Sequence, residues 1–155
     1  MRIVIDPGIW NDTWKSQETL LSIANNLYDK LYSRGHEVLM TCSNASVGAD
    51  AGPSEGDLFI GLYAAPDQNC AAGENGFFCR LASNARGEAV RQDICKRMAE
   101  LPGIARINIY PLRVAELAAI PAAVVMIQFC FPFESYSVSP AVLAETIGTC
   151  IADNL

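Results

Sequence analysis

The feature that most constrains the fold is a strand, helix, strand unit within the first 41 residues. The apolar run Ile3-Val4-Ile5 predicts a buried strand, which Pro7-Gly8 ends abruptly. Apolar residues then recur at spacings of four, three and four within 17–34, which is one helix face, and Gly35 is well placed to end that helix. Residues 36–41 predict a second strand. Because such a crossover joins parallel strands, the unit favours an α/β fold.

The remaining residues continue this alternation of strands and helices. Further strands are predicted at 57–63, 76–81, 104–112 and 122–131, a helix at 83–101, a last helix starting at Ser139-Pro140, and loops at 43–56 and 64–75. The strand at 57–63 is apolar on both faces and suits a central position, whereas 76–81 is short and suits an edge. At 155 residues, half of them hydrophobic, the chain is long enough to bury one full core. We therefore predict a single α/β domain over 1–155, with a mostly parallel or mixed twisted sheet of about six strands and helices on both faces.

The charge and hydropathy of the chain exclude several classes of partner. The formal net charge is -6, and the sequence has no cluster of basic residues that could bind phosphate groups. Neither nucleic acid nor an anionic membrane surface is therefore predicted as a partner. No apolar run reaches the roughly 18 residues of a membrane-spanning helix, so no membrane insertion is predicted. No signal peptide precedes the first strand. The default location is therefore cytoplasmic, and the cell envelope stays open for a processed or excised chain.

The six cysteines show no metal-binding spacing. No two of them form a C-x-x-C pair, so a zinc knuckle is not predicted. Cys95 and Cys150 fall in helical patterns and Cys130 in a strand pattern, which favours buried, reduced thiols. Cys70 and Cys79 flank a glycine-rich loop and are the candidate disulfide pair. Cysteine catalysis is disfavoured, because a reactive thiolate usually needs a neighbouring histidine and the chain has one histidine in all.

Polar and aromatic residues follow the first strand, at the end of the sheet where α/β proteins bind ligands. Asp6 stands where the strand enters a polar loop, 9–16, which contains Trp10 and Trp14. Exposed tryptophans at such an edge suit stacking on a sugar or peptide. The alternative is that they cover the edge of the core, since tryptophan is usually largely buried.

Carboxylates near the same edge raise the question of a cation site. Asp6, Asp12, Glu18 and Asp67 are the residues concerned. Carboxylates suit magnesium or calcium better than zinc, but no loop shows a recognisable cation-binding spacing. No cofactor is therefore predicted.

Several stretches, taken in order, resemble a family of cell-wall hydrolases. They are Ile3-Val4-Ile5-Asp6-Pro7-Gly8, Arg34-Gly35-His36-Glu37-Val38, Gly56-Asp57-Leu58-Phe59-Ile60, Gly76-Phe77-Phe78, and Ile120-Pro121-Ala122 leading to Phe131. Together they resemble the zinc-dependent N-acetylmuramoyl-L-alanine amidases of the amidase-3 type. The resemblance implies a mostly parallel sheet with helices on both faces, and peptidoglycan as the ligand class.

The chain departs from this family at the positions that carry its chemistry. The family's two zinc-binding histidines match Ile9 and Tyr63, and its zinc-binding glutamate matches Ser16. The catalytic glutamate matches Gln128, although the spacing from Pro121 is about two residues too long. The resemblance therefore implies degenerate metal and catalytic positions.

The chemistry of these replacements argues against hydrolysis. A catalytic zinc needs three nitrogen, oxygen or sulfur ligands from the protein, and Ile9 has no donor atom. A phenol, whose ordinary pKa is about 10, is a poor zinc ligand at Tyr63. The amide of Gln128 cannot accept a proton near neutral pH, so it cannot act as a general base. The single histidine, His36, follows a helix stop and is predicted to lie on the surface, far from this site.

Three hypotheses of function follow. The first is an amidase-fold protein without zinc or hydrolysis, which acts as a binding or scaffolding module for a peptidoglycan fragment or a protein partner. Its cleft would be lined by Trp10, Trp14, Tyr63 and Gln128. The second is an active peptidoglycan amidase with diverged ligands. The third is an unrelated α/β structural or assembly domain.

Overall fold

Six strands form one sheet in the computed structural model, which describes residues 1–8, 14–41, 57–65, 76–82, 85–102, 106–111, 122–130 and 138–155. The strands are β1 (Arg2–Asp6), β2 (Glu37–Met40), β3 (Leu58–Ala65), β4 (Gly76–Ala82), β5 (Arg106–Pro111) and β6 (Ala123–Cys130). The helices are α1 (Trp14–Ser33), α2 (Ala85–Ala99) and α3 (Pro140–Asp153). The strand order is β2-β1-β3-β6-β4-β5, in which β2, β1, β3 and β6 run parallel, while β4 and β5 run the opposite way. The predicted α/β class, with a parallel sheet and helices, is confirmed.

The first strand, helix, strand unit forms as predicted. The inner face of α1 is a fully buried stripe of Leu20, Ile23, Ala24, Leu27 and Leu31. The helix ends in a Schellman motif: the Gly35 N–H donates to the Tyr32 carbonyl at 2.9 Å and the His36 N–H to the Leu31 carbonyl at 3.2 Å. Gly35 has a φ of +85°, a conformation that glycine adopts without strain. The helix stop predicted at Gly35 is therefore confirmed.

Three details differ from the sequence prediction. The helix α1 starts at Trp14, inside the predicted loop 9–16, because no glycine or proline interrupts it before residue 17. Strand β3 continues to Ala65, two residues into a predicted loop. Strand β4 does not lie at the edge of the sheet but between β6 and β5, and it is antiparallel to β6. That pairing joins segments distant in sequence, so local patterns do not reveal it.

The two faces of the sheet bury alternating residues of the same strands. On one face Ile5, Ile60 and Ile127 pack into a large core that includes the buried stripes of α1, α2 and α3. Both α1 and α2 contact α3, so the three described helices form one layer. On the second face the residues Val4, Phe59, Val124 and Met126 are also buried. The described helices all pack on the first face, so the predicted helix on the second face stays a prediction.

Helices α1 and α3 approach each other closely at Gly148. A Cβ atom there would lie 2.6 Å from Cδ of Lys30 and 3.1 Å from Cδ1 of Leu27, so a residue without a side chain lets the helices pack. The Lys30 ammonium reaches over this contact to the Glu145 carboxylate. That hydrogen bond lowers the pKa of Glu145. The start of α3 is as predicted, with Pro140 as its first residue and Ser139 Oγ accepting a 3.4 Å hydrogen bond from the Val142 N–H.

An ion pair ties the amino ends of the central strands together. The Arg2 guanidinium donates to Asp57 Oδ2 from Nε at 2.9 Å and from Nη2 at 2.6 Å. The Asp57 carbonyl accepts from the Ala123 N–H at 3.0 Å. The hydrogen bond to Asp57 raises the pKa of Arg2. These contacts connect β1, β3 and β6 at the edge opposite to the one where Asp6 lies.

The two cysteines on helices are buried, as predicted. Cys95 lies on α2 and Cys150 on α3. Burial, with Asp93 nearby, raises the pKa of the Cys150 thiol to about 12, so it stays protonated at neutral pH. Cys130 ends β6, in agreement with its strand pattern. The pairing of Cys70 with Cys79 stays a prediction, because Cys70 lies outside the described residues.

Candidate functional site: the carboxyl edge of β1, β3 and β6

Three parallel strands end side by side at the edge where a ligand site was predicted. In the register, Asp6 of β1 is level with Gly61 of β3, and Tyr63 of β3 is level with Gln128 of β6. Neighbouring strands are about 4.8 Å apart, so the backbones of Tyr63 and Gln128 are direct neighbours. Both lie two residues, or about 7 Å, beyond the end of β1. The fold therefore brings together two of the four residues predicted to line a cleft.

These positions also share one face of the sheet. Positions in a strand that are an even number of residues apart belong to the same face of the sheet. Positions 6, 63 and 128 therefore belong to the second face, the face of Val4, Phe59 and Val124. The described helices pack on the other face. The edge residues are therefore set apart from the helix layer.

Asp6 holds the turn that ends β1. Its Oδ1 accepts a hydrogen bond from the Gly8 N–H at 3.0 Å, which is the geometry of an Asx turn. Gly8 has a φ of +59°, in the left-handed region that favours glycine. Both Pro7 and Gly8 are buried. The carboxylate therefore stabilises the turn that directs the chain away from the sheet.

The other candidate residues divide into described and undescribed positions. Trp14 and Ser16 lie in the first turn of α1, and Glu18 lies one turn further on and is exposed. Because β1 runs to this edge and α1 runs back from it, the first turn of α1 lies on the same side of the domain. Ile9, Trp10, Asp12 and Asp67 lie outside the described residues, so their predicted places in the cleft remain predictions.

The single histidine lies at the opposite edge of the sheet. Glu37 is level with Arg2 and its N–H donates to the Met1 carbonyl at 3.1 Å, so His36 is level with Met1. Asp6 is five residues further along β1, a separation of about 16 Å at the rise of a strand. His36 is half-buried at the surface, and this burial, with the N-terminal amino group and Arg34, lowers its pKa.

No zinc site is assembled by the described residues. A zinc–nitrogen bond is about 2 Å long, so His36 cannot ligate a metal at the carboxyl edge. Within the described part of the chain, no group of three or more histidine, cysteine, aspartate or glutamate side chains is arranged to hold a metal ion. The described helices also include none that is long and apolar enough to cross a membrane.

Strand β4 adds a position that the sequence did not reveal. Phe78 is level with Gln128 on the side away from Tyr63, so Gln128 stands between two aromatic positions. The antiparallel pairing of β4 with β6 creates this neighbour. No local pattern indicates it, because residues 78 and 128 are far apart in sequence.

Comparison with known proteins shows the fold but no close relative. No family model and no curated protein matches the chain. Among solved structures, the catalytic domain of the CD27L endolysin targeting Clostridia difficile superposes with a TM-score of 0.72 at 18% identity, covering 99% of this chain and 97% of that one. The N-acetylmuramoyl-L-alanine amidase AmiC2 of Nostoc punctiforme gives a TM-score of 0.65 at 15% identity, covering 99% and 96%. The N-acetylmuramyl-L-alanine amidase Ami1 of Mycobacterium smegmatis gives 0.68 at 14%, also covering 99% and 96%. The chain therefore shares the α/β fold of these amidases.

Proposed function

We propose that this protein is a peptidoglycan-binding module built on the amidase fold, without zinc and without hydrolysis. The fold shared with the amidases supports peptidoglycan as the ligand class. The carboxyl edge of β1, β3 and β6 is the binding site.

The position of His36 is the observation that most strongly supports a module without zinc. The chain has one histidine, and it lies at the amino edge of the sheet, about 16 Å along the strands from Asp6. The position after Gly8 is Ile9, which has no donor atom. Two imidazole ligands therefore cannot be assembled at the carboxyl edge, which supports a role that does not depend on zinc.

Neutral residues at the same edge fit a binding role. Where the family places a histidine and a glutamate, this chain has Tyr63 and Gln128 in register on neighbouring strands. Neutral groups avoid the cost of an uncompensated buried charge where a metal is absent. A phenol and an amide also donate and accept hydrogen bonds, which suits the hydroxyls and amides of a muropeptide. A site of this kind can bind a muropeptide without hydrolysing it.

A titration with a soluble muropeptide tests this proposal. We expect the wild-type chain to bind an N-acetylmuramoyl peptide in isothermal titration calorimetry. The Gln128→Ala variant should bind about tenfold more weakly, because one hydrogen bond of roughly 1.4 kcal/mol is lost. The matched control is Glu37→Ala, which removes an exposed side chain at the amino edge and should leave the affinity unchanged. A wild-type chain that binds no muropeptide, or two variants that weaken binding equally, would contradict the proposal.

A further inference from the structure

The outer side of the edge strand β2 carries backbone groups that no described residue pairs. The Glu37 N–H donates to the Met1 carbonyl and the Thr41 N–H to the Ile5 carbonyl, at 3.1 and 2.9 Å. In a parallel pair every second residue of a strand bonds to the same neighbour, so Leu39, between Glu37 and Thr41, also bonds to β1. The N–H and C=O groups of Val38 and Met40 therefore point outwards, in the plane of the sheet.

Within the described residues, this edge shows none of the devices that usually prevent strands from pairing. Natural edge strands carry lysine, proline or a bulge that blocks an added strand. The sequence of β2 is Glu-Val-Leu-Met, in regular register with β1 and with Glu37 as its one charged residue. As far as the described residues extend, the outer side of β2 is open to pairing along its length.

A pair of tyrosines on α1 lies beside the same edge, of which Tyr32 is exposed and Tyr28 is partly buried against the core. The rings of Tyr28 and Tyr32 are stacked, with centroids 5.9 Å apart and planes 7° apart, and Tyr32 is 63% exposed. At 100° per residue, both lie about 160° around the helix from Lys30. Since Lys30 contacts Glu145 of α3, the tyrosines are on the flank of α1 that faces away from α3. Leu21, 39% exposed, is on this flank as well.

We propose that this edge is the interface of a homodimer, in which the β2 strands of two copies pair antiparallel and extend the sheet across a two-fold axis. A pairing centred on Leu39 would join the outward groups of Val38 to those of Met40 in the second copy. The helix α1 connects β1 to β2 and packs over them. A two-fold axis perpendicular to the extended sheet places both α1 helices on the same face of it, one on each side of the axis. Their tyrosine flanks then meet across the axis.

A second copy fits this surface better than a single added peptide strand. One strand would satisfy the backbone of Val38 and Met40 but would leave Tyr32 exposed, whereas a second copy covers both. Charge is compatible, because in this register Glu37 lies opposite Thr41 of the second copy and not opposite another glutamate. The net charge of -6 on each copy opposes association, so added salt should strengthen the dimer.

Sedimentation equilibrium and amide hydrogen exchange on the full chain test this inference. We expect a concentration-dependent dimer in which the amides of Val38 and Met40 exchange slowly. Tyr32→Lys should raise the dissociation constant at least about tenfold, because it places a charge in the proposed interface. It should also speed exchange of those two amides while the Leu39 amide, bonded to β1, stays protected. Val142→Lys is the matched control, since Val142 is 43% exposed on α3, and it should leave the dimer intact.

Three results would overturn the inference. One is a chain that stays monomeric at high micromolar concentration. Another is a dimer that Tyr32→Lys does not weaken. The third is a dimer in which the Val38 and Met40 amides exchange as fast as in the monomer, since the contact would then lie on another surface.

Discussion

Replacing Phe129 by alanine is expected to lower the free energy of unfolding by about 3 to 5 kcal/mol. Phe129 is fully buried and lies on β6, between β3 and β4, on the face covered by the helices. Its removal leaves a cavity between the sheet and the helix layer, which the backbone of a central strand cannot move to fill without breaking its hydrogen bonds to β3 and β4. The loss is a large part of the roughly 5 to 15 kcal/mol by which domains are stable. Urea denaturation at one fixed, low protein concentration measures it.

The matched control for this substitution is Val142→Ala. Val142 is exposed in the first turn of α3, so its truncation should change the free energy of unfolding by less than about 0.5 kcal/mol. A Phe129→Ala variant that loses less than about 1 kcal/mol would mean that β6 is not a central strand of the core.

The Gln128→Glu variant is expected to hydrolyse no muropeptide, like the wild-type chain. The substitution supplies a carboxylate at the position that matches the family's catalytic glutamate, but it supplies no metal ligand. Working enzymes accelerate their reactions by about a millionfold or more, so a functional site would be obvious against the uncatalysed background. Release of free peptide from an N-acetylmuramoyl peptide, followed by chromatography with and without a chelator, gives the readout.

Gln128→Ala serves as the control, because it removes the amide without adding a possible base. Both variants and the wild type should stay at the background rate. Hydrolysis that a chelator abolishes, in the wild type or in Gln128→Glu alone, would show that metal ligands exist elsewhere in the chain. The second hypothesis, an amidase with diverged ligands, would then replace the proposed binding role.

The elements that local sequence determines could be predicted. The spacing of Leu20, Leu27 and Leu31 gives the buried face of α1, and Gly35 ends that helix because only its backbone fits the cap without strain. The Ser139-Pro140 start of α3 has the same kind of local cause. The placement of His36 away from Asp6 also follows from chain order, since it precedes the second strand of a parallel pair.

The features that depend on strand order could not be predicted. Tyr63 and Gln128 are neighbours only because β3 and β6 pair, and Phe78 joins them only because β4 turns antiparallel beside β6. These pairings join residues that lie more than 40 positions apart in sequence, where hydrophobic pattern carries no information on partners. The open edge of β2 has the same origin, because a strand pattern does not say which strand is last in the sheet.

The zinc content of the purified, untagged protein tests the central claim most directly. The chain is incubated with zinc, desalted and analysed by elemental mass spectrometry, and a histidine tag must be absent because it binds zinc itself. We expect less than about 0.1 zinc per chain, since the two-histidine site cannot be assembled from one histidine at the wrong edge of the sheet. About one zinc per chain that survives desalting would contradict the claim and would indicate ligands outside the described residues.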